Sequence, residues 1–139
     1  MNIVTIETAI PPHRASQDEV VQAATEWLGE GTPEFGLFLR YLRSSRTHNR
    51  NFILPPLEII RLHGAQERAR IFELEAPKLA VEATRKALEA TNTKPHEVDT
   101  LVFTSCTCPL IPAPDTYLID QLGLRRDVKR VPSYQFGCA

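Results

Sequence analysis

The residue types best suited to chemistry stand late in the chain. Lys129–Gln135 reads as a β-strand, and Phe136-Gly137-Cys138-Ala139 follows it. Glycine admits the backbone angles of a sharp turn. A thiol placed there, at the start of a following helix, would be held as thiolate by the helix dipole. Cys138 is therefore either a nucleophile on a strand–turn junction or a small buried side chain. Cys106-Thr107-Cys108 closes a second strand-like run. Metal ligation there needs another ligand cluster, and His13, His48, His63 and His96 have no finger or helical spacing. No metal is expected. The stretch is read as pocket lining, because ligands gather beyond the carboxyl ends of strands in α/β sheets. Arg40, Arg43, Arg46 and Arg50 recur at three- and four-residue steps. They are either a solvated helix face with its exit loop or an anion site suited to phosphate. No Gly-rich phosphate loop, H-E-x-x-H or G-x-S-x-G is present.

These side chains need elements to hold them. Asn2–Thr8 alternates and is β-branched, which predicts a strand ended by Pro11-Pro12. Ser16-Gln17-Asp18-Glu19 has the capping-box form and predicts a helix to about Leu28. Its apolar face would carry Val20, Ala23, Ala24, Trp27 and Leu28, with Gly29 and Gly31 closing it. Glu34–Arg43 predicts a shorter helix on Phe35, Phe38, Leu39 and Leu42. Asn51–Glu58 reads as irregular because of Pro55-Pro56. Gly64–Ala76 and Lys78–Ala90 are both helical in composition, and Pro77 either kinks one long helix or separates two. Val98–Ser105 is the strongest strand signal. A Pro-rich loop, Cys108–Pro114, leads from it to a short helix at Asp115–Leu122 that Gly123 caps.

The chain's 139 residues, 42% hydrophobic and 24% charged, suit one ordinary domain. Sixteen basic against seventeen acidic residues leave a net charge of −1. No overall field favours nucleic acid or a membrane surface. No apolar run approaches the roughly 18 residues of a spanning helix, and the N-terminus lacks a signal-peptide layout. Three cysteines are an odd count for a secreted disulfide framework, so a reducing cytoplasm is expected. The order strand, helices, strand, helix, strand predicts an α/β fold with a mostly parallel sheet and right-handed crossovers. Three strands make a thin sheet, and no helix returns over the last. The chain is therefore expected to be an incomplete fold.

Leu101–Ala139 resembles the type III polyketide synthases, the chalcone and stilbene synthase family. The residues that carry the resemblance are Thr104-Ser105-Cys106-Thr107, Ile111-Pro112-Ala113-Pro114-Asp115, Leu122-Gly123-Leu124-Arg125, Val128-Lys129-Arg130-Val131-Pro132 and Gln135-Phe136-Gly137-Cys138-Ala139. Arg50–Glu58 and the Pro77 helix are similar to bacterial members.

The resemblance implies a thiolase-like fold, of which residues 1–139 are the N-terminal part, the remainder lying outside this chain. It implies that Cys138 carries an acyl group from an acyl-CoA starter, which malonyl-CoA extends by decarboxylative Claisen condensation. Cyclisation then gives a pyrone or phenolic product. No cofactor is implied. Cys106 and Thr107 fall where the family lines its cavity, and Ile111 where it reaches into the partner subunit of a homodimer. Ile111–Pro112 matches a cis bond, and Arg40 and Arg43 fall near the cations that meet CoA phosphates. Two features depart from the family pattern. Pro-Ala-Pro precedes Asp115, and the chain stops one residue past Cys138, before the family's catalytic His and Asn. This chain alone is thus expected to be inactive, with the rest of the enzyme present as a separate chain or lost by cleavage. Two alternatives stand beside this reading: another thiolase-type condensing enzyme, such as a ketoacyl-carrier-protein synthase, and a non-catalytic assembly subunit.

Overall fold

The computed structural model describes residues 2–134, so Cys138 lies outside the described residues. The chain forms two compact units: Ile10–His63, and Met1–Ala9 with Gly64–Ala139.

In the Ile10–His63 unit, β1 (His13–Ser16) pairs antiparallel with β2 (Asn49–Phe52), in register from His13↔Phe52 to Ser16↔Asn49. Neither strand follows from periodicity, since each has only four residues. Ser16 ends β1 and caps α1 (Gln17–Leu28). Its Oγ accepts the Glu19 amide (3.3 Å), and the Glu19 carboxylate accepts the Ser16 amide (2.8 Å), completing the expected capping box. Gly29, at φ 81°, turns the chain out of the helix. Ala23 and Ala24 are buried, but Trp27 is 58% exposed, against expectation. The two alanines sit at the centre of the contact face, while Trp27 lines an apolar groove with Phe38, Ile59 and Ile60. α2 (Pro33–Ser44) starts on Thr32, whose Oγ1 accepts the Phe35 amide (3.2 Å), and it buries Phe35 and Leu42. The stretch expected to be irregular instead holds the end of β2 and a one-turn helix, α3 (Pro56–Ile59). Proline is tolerated in a first turn, where the missing N–H has no partner to lose.

In the second unit, α4 (Gly64–Thr91) is one helix of 28 residues with Pro77 buried inside it. The expected Lys86–Glu82 pair forms at 2.7 Å. Asn92 (φ 51°) and the Thr93 amide, bonded to the Leu88 carbonyl, end the helix. A 3₁₀ turn, Pro95–Glu97, leads to β3 (Thr100–Ser105). α5 (Asp115–Leu122) packs on α4 and connects β3 to β4 (Lys129–Tyr134). β3 and β4 are parallel, in register from Thr100↔Lys129 to Ser105↔Tyr134. This is the β-α-β order that the sequence predicts, with Val81, Leu118, Leu124 and Val128 buried in this unit. Gly123 takes left-handed angles (φ 66°, ψ 37°) to close α5, as expected.

Two expectations fail. The described residues hold two separate two-stranded sheets, one antiparallel, where one mostly parallel sheet is expected. Asn2–Thr8 forms no strand: Ile3, Val4 and Ile6 are each close to 80% exposed. Alternation fixes only which side chains share a face, and a strand also needs a hydrogen-bonded neighbour. Among the described residues no helix is long and apolar enough to cross a membrane.

Candidate functional site

Parallel strands bring their carboxyl ends together. The last residue of β3, Ser105, therefore stands beside Tyr134, the last residue of β4. The β3–α5 connection starts at this edge with Cys106 and Thr107, both exposed. The Thr107 amide donates to Ser105 Oγ (3.2 Å), which turns the chain away from the strand. Cys106 and Cys108 both stand on this connection, and Cys108 is half-buried. Ile111 is fully exposed, and its bond to Pro112 is cis, as the resemblance implies.

Among the described residues, β4 holds this connection at Leu110 and at Asp115. Midway along it, Tyr134 Oη donates to the Leu110 carbonyl (3.5 Å), while its ring meets Phe103 edge-on at 6.5 Å between centroids. At the end, Pro114 and Asp115 are fully buried. The Asp115 carboxylate accepts two bonds from Arg130, from Nε (2.7 Å) and Nη2 (3.1 Å). A buried carboxylate requires such a partner. The bond to Asp115 is the main reason the Arg130 pKa lies above its usual value. Sequence reading notes Asp115 only for the prolines before it and misses the pair. The available signal was an acidic residue opening a helix, with an arginine inside the next strand.

A second arginine anchors the other end of β4. Arg125 Nη1 donates to Asp99 Oδ1 (2.8 Å), and its Nε and Nη2 hold both carboxylate oxygens of Asp127 at 2.7 Å. That fork lowers the Asp127 pKa to about 2.

Arg40 and Arg43 are both exposed on α2, in the Ile10–His63 unit, whereas Cys106, Thr107 and Ile111 share the β3–α5 connection of the other unit. Arg50 lies on β2, and its guanidinium donates to Ser45 Oγ (2.8 Å) and the Thr47 carbonyl (3.3 Å). It thereby shapes the α2–β2 loop. Among the described residues no three His, Cys, Asp or Glu side chains gather as metal ligands would.

Comparison with known proteins gives a consistent result. The family model for chalcone and stilbene synthases, N-terminal domain, matches residues 53–139. The 1,3,6,8-tetrahydroxynaphthalene synthase of Streptomyces griseus is 29% identical over 131 residues, covering 94% of this chain and 35% of that protein. The crystal structure of the synthase of that name from Streptomyces coelicolor A3(2), a bacterial type III polyketide synthase, matches with a TM-score of 0.83 at 22% identity. That match covers 96% of this chain and 38% of the other. CsyB complexed with CoA-SH matches with a TM-score of 0.82 at 26% identity, covering 96% of this chain and 36% of the other. The chain spans about a third of the length of the curated relative it matches, 35%. Its α/β elements are an N-terminal portion of the thiolase-like fold.

Proposed function

The chain belongs to the chalcone and stilbene synthase family, and from that premise we propose that it is the N-terminal part of a type III polyketide synthase with Cys138 as its acyl-carrying nucleophile. One observation carries this reading. The carboxyl ends of β3 and β4 meet at Ser105 and Tyr134, and Cys138 lies four residues beyond Tyr134 in sequence. Cys138 is assigned to the active site that Cys106 and Thr107 line.

The chemistry follows from that assignment. The Cys138 thiolate attacks the carbonyl of an acyl-CoA thioester. A new C–S bond forms, and CoA leaves as its thiolate. Malonyl-CoA then loses carbon dioxide, and the resulting enolate attacks the Cys138 thioester. The thiolate is released, and the extended acyl group remains on CoA. Further rounds and ring closure give a pyrone or phenolic product. Both activated groups arrive on CoA, so no cofactor takes part. Cys106 and Thr107 line the cavity, while Arg40 and Arg43 meet the CoA phosphates. The exposed Ile111 contacts the partner subunit of a homodimer. The donors for enolate and oxyanion belong to the rest of the enzyme, so loading is assigned to this chain and condensation to the assembled synthase. A nucleophilic thiol at Cys138 suits a reducing cytoplasm.

The test is intact-mass analysis after incubation with a medium-chain acyl-CoA. One acyl adduct is expected, mapped to Cys138 and absent in Cys138→Ala. An adduct on Cys106 or Cys108 instead would overturn the assignment. A Cys138 that resists both acylation and iodoacetamide would favour a non-catalytic assembly subunit.

A further inference from the structure

We propose that Asp115, Arg130 and Tyr134 form a positioning clamp that holds the cavity-lining β3–α5 connection on β4, the strand that leads to Cys138. The functional part of this inference rests on the reading of that sheet edge as the active site; the structural part does not.

The connection has little regular structure of its own. Between Ser105 and Asp115 no helix or strand is formed, and three prolines interrupt its supply of N–H donors. Among the described residues, polar attachments run from it to β4 at Leu110 and at Asp115. Arg130 and Tyr134 are four residues apart in one strand, so both project from the same face. A single face of β4 thus grips both the middle of the connection and its exit into α5. The bond type matters as well. A guanidinium fork fixes the carboxylate in direction as well as distance, which an apolar contact of equal area does not. Asp115 also opens the first turn of α5, where the helix dipole favours a carboxylate. Any shift of β4 therefore carries the connection with it, and Cys106 and Thr107 keep their place beside the strand end.

The three cysteines supply the readout. Cys106 is exposed and Cys108 half-buried on the clamped connection, so their relative alkylation by iodoacetamide reports local opening with Cys106 as the internal reference. Arg130→Lys keeps the charge and removes the fork. Tyr134→Phe removes one hydroxyl and keeps the ring, so it preserves the fold even if the lysine variant does not. In the complete protein, at a temperature where circular dichroism shows each variant folded, the Cys108-to-Cys106 rate ratio is expected to rise about tenfold in Arg130→Lys. A smaller rise is expected in Tyr134→Phe. The acylation rate constant of Cys138 is expected to fall about tenfold in Arg130→Lys, because small misplacements are costly in a reacting geometry. The half-saturating acyl-CoA concentration should stay unchanged. Unchanged alkylation ratios in both variants would overturn the clamp. So would acylation per folded molecule that matches the parent, since a merely structural pair would lower only the folded fraction. If the parent protein itself accepts no acyl group, the proposed function fails, and the alkylation ratio alone decides the clamp.

Discussion

Arg130→Met leaves the Asp115 carboxylate with no exposed surface and no cation. Removing one partner of a buried pair costs about 3–5 kcal/mol, because the other charge remains buried and uncompensated. The two partners are not equivalent. Asp115 has 0% side-chain exposure and Arg130 has 38%, so water can take over part of the guanidinium's solvation but none of the carboxylate's. Arg130→Met is therefore expected to cost about 3 kcal/mol or slightly more. Asp115→Asn keeps an oxygen that accepts the Nε bond and leaves a cation that can rehydrate, so about 1–2 kcal/mol is expected. In a chain of this size, those losses lower the midpoint of thermal unfolding by about 10 °C and about 3–6 °C. Changing both residues to apolar ones, Asp115→Leu with Arg130→Met, removes the stranded charge. That double variant is expected to be more stable than Arg130→Met alone. Urea and thermal unfolding at neutral pH, followed by circular dichroism, measure all three. The reasoning is refuted if Asp115→Asn costs as much as Arg130→Met, or if the double variant is the least stable.

Two further predictions concern the ends of the β-α-β unit. Gly123→Ala is expected to cost about 1–2 kcal/mol, from the left-handed backbone alone, because an added Cβ would meet nothing within 4 Å. Gly123→Asn should cost less, and thermal unfolding that shows a much larger loss would refute the open-space argument. The Asp127 carboxyl is expected to titrate at about 2 by NMR, and to return toward 3.8 in Arg125→Ala, which removes the fork. Its folded-state pKa is depressed, so the stability it contributes is complete above pH 3.8 and is lost as pH falls through about 2. Equal midpoints in the two proteins would sink this account.

What the sequence made legible follows from the range of each signal. Capping residues act within one turn, so α1, α2 and α5 agree with their sequence readings within about a residue at each end. Pro55-Pro56 misled for the same local reason, since proline's ban on helix interiors does not extend to a first turn. β1 and β2 were not legible because their pairing joins segments about 35 residues apart, and neither segment alternates strongly. The strand-end position of Cys106 was readable because β3 has a clear apolar pattern. The Asp115–Arg130 pair was not, because it depends on the register of two elements 15 residues apart, which no local pattern encodes.

That register explains why polar bonds gather on β4. The strand has little apolar burial to align it: Lys129, Arg130, Val131 and Pro132 are all exposed. Among the described residues it pairs with β3 alone, and Pro132 has no N–H to offer the ladder. Hydrophobic alternation normally fixes register by penalising a slip that turns apolar side chains outward. Here that penalty is small, because most of the strand already faces outward. Directed bonds take its place. Arg125 ties the approach to β4 to Asp99 at the foot of β3, and the Lys129 amide donates to the Asp99 carbonyl (2.9 Å). Arg130 and Tyr134 tie the rest of the strand to the connection above. A slip by one residue would turn Arg130 to the opposite face and leave Asp115 buried without its cation. The penalty that alternation fails to supply thus comes from a buried carboxylate, on the strand that leads to the proposed nucleophile.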